Sequence, residues 1–455
     1  MKKSFTTFLS LSSLLLLLLI FSTNAQVKFE AFSSLEAMLS KAKKENKLVL
    51  IQVESKVCGQ CNDVAQKGLS GTALKEKYAL NFISTFVKQD DNLLKEITNK
   101  VNLKSYNMGS LFLDSDGNLI LKINSTTSSP MAYLEYADKA IALSKNTILK
   151  DLEAKYKQGE LSKALLIGLI QEKSRINFDT RLLLEQYLDL LTLKEIRTIE
   201  TAKLILEQGM PLESRAREVI YAVFPDSKVD SLFLSYPFEE RVKMNNKIIA
   251  STRQAAIRFK SRDLIYKLSN FISNTYQKNF EKANFHRQKT LVDFYKEIRD
   301  TTSFLQNAES FCNYNLFSVS IDTLKKRNAK ERDEMFEQRT KSSGTFSYSP
   351  FYLQYGSELN NNAYDFFQYT NDLEKLAKAL KWSKRSIEIY EALVPDENRK
   401  QNPYFMDTYA SLLYRLGKKD EAIETQIKAL EILKSRGEST VNLETTLAKI
   451  KNGTL

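Results

Sequence analysis

The sequence predicts a multidomain chain, an α/β domain near the N-terminus followed by a long all-α helical array. Strand-like and helix-like segments alternate through residues 26–145, and no convincing strand pattern follows. The 455 residues also hold only 13 Gly and 7 Pro, too few for a β-rich chain with many turns, so helix should dominate. This length exceeds one ordinary core, and two or three domains are expected.

The first 25 residues read as a signal peptide. Lys2 and Lys3 give a positive start, 13-SLLLLLLIF-21 an apolar core, and 23-TNA-25 small residues before a cut after Ala25. The apolar run is short for a membrane span, no later window approaches one, and no Cys stands at the cut to take a lipid anchor. The expected destination is outside the cytoplasm, a Gram-negative periplasm, with no transmembrane span left after cleavage. Disulfides persist in that compartment.

Within the α/β domain, Val27–Phe32 reads as a short strand and 33-SSLEAMLSKAKKENK-47 as a Ser-capped helix with Leu35, Met38, Leu39 and Ala42 at helical spacing. The run 48-LVLIQVE-54 is almost wholly apolar, as befits a central strand covered on both faces. Then come helix 72–80, strand 82–90, helix 92–102, a hairpin of 110–113 with 118–123 around 114-DSDG-117, and helix 131–144. The order is βαβαβα followed by ββα.

From 146 to 340 the chain reads as amphipathic helices: 148–173, 178–191, 195–209, 241–259 and 264–283. A polar interruption, 341-KSSGTFSYSPFY-352, reads as a loop or hinge, and residues 353–455 form a last helical region. There 379-ALKWSKRSIEI-389 matches 422-AIETQIKALEI-432 at an offset of 43, and 402–434 keeps Tyr409, Leu413, Leu416, Gly417, Ala422 and Ala429 where a helical hairpin needs large seam residues and small crossing residues. These residues resemble a TPR-type repeat, whose usual period is about 34. Tyr156, Gly159 and Ala164 repeat the spacing of Tyr414, Gly417 and Ala422, so the middle region shares the expectation.

The chemistry centres on 58-CGQC-61, directly after the buried strand. At a helix start, backbone N–H groups and the helix dipole favour a thiolate on Cys58, and the spacing lets Cys61 resolve a mixed disulfide, with Gly59 and Gln60 setting the helix start. The residues alone leave three readings open: redox exchange, a permanent structural disulfide, or metal capture. The last lacks ligands, because Cys312 and His286 lie far off in helical segments, so no metal and no cofactor are expected. Cys312 reads as a buried apolar residue, His286 as a surface residue and Trp382 as seam packing. The turn 114–117 lacks the later ligands of a calcium loop.

From 48-LVLIQVE-54 through 58-CGQC-61 to 111-LFLDSDGNLIL-121 the chain resembles the thioredoxin-like family, and its pairing with the C-terminal repeats is similar to exported thioredoxin-domain proteins of Bacteroidetes-type bacteria. The resemblance implies a thiol–disulfide oxidoreductase acting on protein thiols or disulfides, with a protein or peptide partner at the repeats. The chain departs from the family pattern at three positions: Val57 where Trp usually precedes the first cysteine, Gln52 where a buried acid stands, and Met108 where a cis-proline precedes the hairpin. A cis bond before a non-proline residue costs about 2.5–4 kcal/mol, so a trans bond is expected at Met108. The competing reading is a non-enzymatic protein-binding scaffold in which the cysteine pair is a structural or vestigial disulfide. The formal charge of +12 is spread over helix faces that alternate in sign, as in 418-KKDEAIE-424, and no nucleic-acid partner is expected.

Overall fold

A computed structural model of the chain describes residues 27–56, 59–103, 105–276, 279–339 and 350–455, with backbone alone for 59, 60 and 335–339. The signal segment, Val57, Cys58 and most of the 341–352 interruption lie outside the described residues. The chain divides into two compact units, one of residues up to 208 with 215–235, the other of 209–214 with 236–455.

The first unit is built on a four-stranded mixed sheet of β1 (Leu48–Glu54), β2 (Phe82–Lys88), β3 (Gly109–Leu113) and β4 (Leu119–Ile123), in the order β2-β1-β3-β4. β1 runs parallel to β2 and antiparallel to β3, which pairs antiparallel with β4. The continuous apolar run of β1 is explained by cover on both faces. Val49, Ile51 and Val53 pack with Leu35, Met38 and Ala42 of α1 (Leu35–Glu45) and with Leu93, Leu94 and Ile97 of α4 (Asn92–Lys100). Leu50 packs on the opposite side with Phe82, Phe112 and Tyr133. Burying each such side chain contributes about 1.5–3 kcal/mol. That second face is covered by α3 (Thr72–Asn81) and α5 (Pro130–Ser144), and Leu69, just after α2 (Gly59–Gly68), joins the same cluster.

One feature departs from expectation here. Val27–Phe32 is not a strand: Val27 N–H bonds the Leu69 carbonyl and Glu30 N–H the Ser84 carbonyl, two isolated bonds rather than a ladder. The hairpin turn is as expected, and Asp114 organises it by accepting from the N–H groups of Asp116 and Asn118, each at 2.9 Å.

The outer edge of β4 does not stand open. Lys122 N–H bonds the Ile176 carbonyl at 3.3 Å and Asn177 Nδ2 donates to the Lys122 carbonyl at 3.0 Å. These residues follow α7 (Lys163–Arg175), which pairs with α6 (Ile148–Lys157); the expected 148–173 stretch is therefore two helices. The unit continues through α8 (Arg181–Asp189), α9 (Leu193–Ile196), α10 (Ile199–Gln208), α11 (Arg215–Val223) and α12 (Asp226–Leu234).

The second unit is helical throughout its described residues: α13 (Phe238–Phe259), α14 (Arg262–Thr275), α15 (Phe280–Glu297), α16 (Thr301–Ser310), α17 (Ile321–Arg339), α18 (Leu353–Tyr369), α19 (Leu373–Leu393), α20 (Pro403–Arg415), α21 (Lys419–Ser435) and α22 (Val441–Asn452). The expected helix 264–283 is interrupted, because α14 ends at Thr275 and Asn279 caps α15 by accepting from Lys282 N–H at 3.1 Å. Between α16 and α17 a π-helical segment, Phe311–Phe317, buries Cys312 and is tied to α19 by Trp382 Nε1, which donates to Asn313 Oδ1 at 2.8 Å. Small residues let successive helices approach: Ala363, Ala379, Ala410, Ala422 and Ala429 are fully buried.

Candidate functional site

The site named from sequence lies where β1 ends and α2 begins. Cys61 is the third residue of α2 and is half-buried, so it sits in the first turn, where backbone N–H groups lack intrahelical partners. Gly59 opens that helix, followed by Gln60. The approach to it is held by side-chain amides. Asn62 Oδ1 accepts from Ser55 N–H at 2.9 Å while Asn62 Nδ2 donates to the Ser55 carbonyl at 3.0 Å. Lys56 N–H bonds Gln89 Oε1 at 3.0 Å, and Gln89 Nε2 donates to Asn107 Oδ1 at 3.2 Å. Lys56 also pairs with Asp90 at 3.1 Å, which holds that carboxyl below its ordinary range. The residues after β1, after β2 and before β3 are thereby joined.

Gln52 lies in β1 beneath this layer, only 1% exposed. It is paired in register with Ser110 of β3, whose hydroxyl donates to Gln52 Oε1 at 2.7 Å. Among the described residues its Nε2 has no hydrogen-bond partner. An amide here cannot take up or release a proton, so the position offers a fixed donor and acceptor in place of an acid–base group.

Met108 is half-buried and immediately precedes Gly109, whose φ of +108° begins β3. A Cβ at Gly109 would come within 2.0 Å of the Ile123 carbonyl oxygen and 2.7 Å of the Tyr106 hydroxyl. That hydroxyl donates to the Ser110 carbonyl at 3.1 Å and to the Ile123 carbonyl. There is no cis peptide bond among the described residues, so the chain passes through Met108 in the trans form.

The other soft ligands belong to the second unit. Cys312 is fully buried, and burial pushes its thiol well above its ordinary value, which makes it inert at neutral pH. His286 is half-buried rather than on the surface: it stacks on Tyr276 with ring centroids 4.7 Å apart and meets Phe285 edge-on. Burial, with Lys289 and Lys282 nearby, lowers its pKa to about 4. No group of three or more metal-binding side chains occurs among the described residues.

The second unit also contains a polar cavity of about 490 Å³, lined by Tyr364 and Phe367 of α18, Asp407, Ser411 and Arg415 of α20, and Lys449 of α22. Burial raises the Asp407 carboxyl above its ordinary range, although Gln426 donates to it. The Arg415 guanidinium lies over the Phe367 ring, 5.1 Å from its centroid.

No protein-family model and no curated protein matches this chain.

Asn62, Ser110, Gln89 and Asn107 were not singled out from sequence. Asn62 carried a signal, since it directly follows Cys61 inside a helix, where Asn competes with the backbone for hydrogen bonds. Ser110 carried none, because its role depends on strand register.

Proposed function

We propose that this chain is an exported thiol–disulfide oxidoreductase-like protein of the thioredoxin-like class, with Cys58 as the attacking thiol and Cys61 as the resolving one. The observation that supports it best is the passage from the buried strand β1 into α2 with Cys61 in the first helical turn, inside a mixed sheet ordered β2-β1-β3-β4. A substrate disulfide is attacked by the Cys58 thiolate, giving a mixed disulfide and a released substrate thiolate. Cys61 then attacks that bond, leaving a protein disulfide and a second substrate thiol. Backbone N–H groups and the helix dipole at a helix start favour a thiolate there. The helical regions, read as TPR-type repeats, recruit a protein or peptide partner. Export to a Gram-negative periplasm supplies the compartment. No helix among the described residues is long and apolar enough to cross a membrane.

The second reading is a protein-binding scaffold, favoured by the polar cavity between α18, α20 and α22 and by the amide at Gln52. The two separate in one experiment: pH-dependent alkylation of Cys58 together with insulin reduction by wild type and Cys58→Ser. A depressed thiol pKa and turnover that Cys58→Ser abolishes are expected. An ordinary thiol pKa without turnover would overturn the enzymatic reading in favour of the scaffold.

A further inference from the structure

We infer that Asn62 is a positioning residue that closes the Cys58–Cys61 segment at its base and thereby sets how readily its disulfide is reduced. The inference rests on the thiol–disulfide reading above. Asn62 Oδ1 accepts from Ser55 N–H at 2.9 Å and Asn62 Nδ2 donates to the Ser55 carbonyl at 3.0 Å, so one side chain satisfies both polar groups of one peptide residue, as a paired strand would. Ser55 is buried and directly follows β1, which makes the anchor part of the sheet.

Only an amide side chain offers this acceptor and donor together, and Gln would carry them one methylene farther from the backbone. Asp retains the acceptor but loses the donor and turns a carboxylate oxygen toward the Ser55 carbonyl; Ala loses both. Asn is also a weak helix former, and nothing in the helical pattern of α2 calls for it at its fourth position. The clamp spans the segment containing both cysteines and ends beside Cys61. Its chemical effect is on the dithiol form. A closed segment keeps the two sulfurs near each other after reduction and so raises their effective concentration for re-forming the bond. Without the clamp the reduced segment gains freedom, and the disulfide becomes easier to break.

The reaction that reads this is exchange with glutathione. One glutathione thiolate attacks a protein sulfur and expels the other as a thiolate. A second glutathione attacks the mixed disulfide, leaving a protein dithiol and one oxidised glutathione, with two electrons passed to the protein. The full-length chain is equilibrated in glutathione buffers, acid-quenched and alkylated. The oxidised fraction is read by mass on the tryptic peptide from Val57 to Lys67, which contains both cysteines and excludes Cys312. Asn62→Ala is expected to lower the equilibrium constant for the disulfide by about threefold to tenfold, tenfold being about 30 mV for this two-electron couple. Asn62→Asp is expected to lower it as well and also to shift the pH profile of Cys58 alkylation upward, because it adds a negative charge beside Cys61. Far-UV circular dichroism of both variants reports whether the fold is retained.

An equilibrium constant for folded Asn62→Ala and Asn62→Asp within twofold of wild type overturns the inference. The equilibrium does not require turnover, so a wild type that exchanges with glutathione but is inactive on insulin sinks only the enzymatic reading. A wild type whose cysteines do not exchange at all overturns both.

Discussion

Among the described residues the Gln52 side chain makes one hydrogen bond and leaves one buried donor over, and that imbalance sets what substitutions there will cost. Ser110→Ala removes the hydrogen bond that the Gln52 amide oxygen accepts and should lower stability by about 1–3 kcal/mol, the penalty for a buried polar group left unmatched. Adding Gln52→Met replaces both polar partners with apolar groups of similar volume and should return stability close to wild type. Urea unfolding of the double-mutant cycle checks this, and simple additivity of two losses would refute it. At His286 the relevant variable is pH. Its folded pKa of about 4 lies below the ordinary 6.5, so between those values the unfolded chain binds the extra proton. Stability from this site is therefore complete above about pH 6.5 and is lost as pH falls toward 4. His286→Phe keeps a ring against Tyr276 and should lose less melting temperature between pH 7 and 5 than wild type; equal losses would place the effect in carboxylates alone. Gln52 was visible in the sequence as a polar break in an apolar run, but Ser110 was not, since 58 residues separate them and only strand register brings them together.

For the elements, the turn into β3 is the least tolerant point. Gly109 has a backbone conformation that L side chains rarely adopt, and a Cβ would press on the Ile123 carbonyl of β4. Gly109→Ala should cost more than about 1 kcal/mol and loosen the β3–β4 pairing. Hydrogen exchange should detect that as faster exchange in Ser110–Leu113 than in β1. Most helices and four strands were legible because their apolar spacing matches the face they bury, as Leu35, Met38 and Ala42 of α1 do. Val27–Phe32 misled because alternation marks which side chains turn inward, whereas a strand also needs a partner to complete a ladder. The interruption after Thr275 carries neither Gly nor Pro; its only mark was Asn279, a capping residue inside an otherwise helical pattern.

In the whole molecule, the sequence pattern changes near residue 145 while the packing of the first unit does not. Asn146 Nδ2 donates to Glu172 at 2.9 Å, Lys150 pairs with Asp114 at 2.7 Å, and the residues after α7 cover the edge of β4. A fragment of residues 27–145 would bare that edge, and an uncovered strand edge invites pairing between copies. Size-exclusion chromatography should find it self-associating, whereas a fragment of 27–235 should elute as a monomer; a monomeric 27–145 would show the helices to be dispensable cover. Such long-range cover was not readable in advance, because Lys122 and Asn177 look like ordinary surface residues until the chain brings them together. The single tryptophan has a different consequence. Trp382 is sealed in the second unit against Phe366, 4.9 Å between ring centroids. Its emission is therefore a private reporter of one half of the chain. A red shift on denaturation dates the opening of that half only, and a ligand that quenches it without melting anything has reached the neighbourhood of α19.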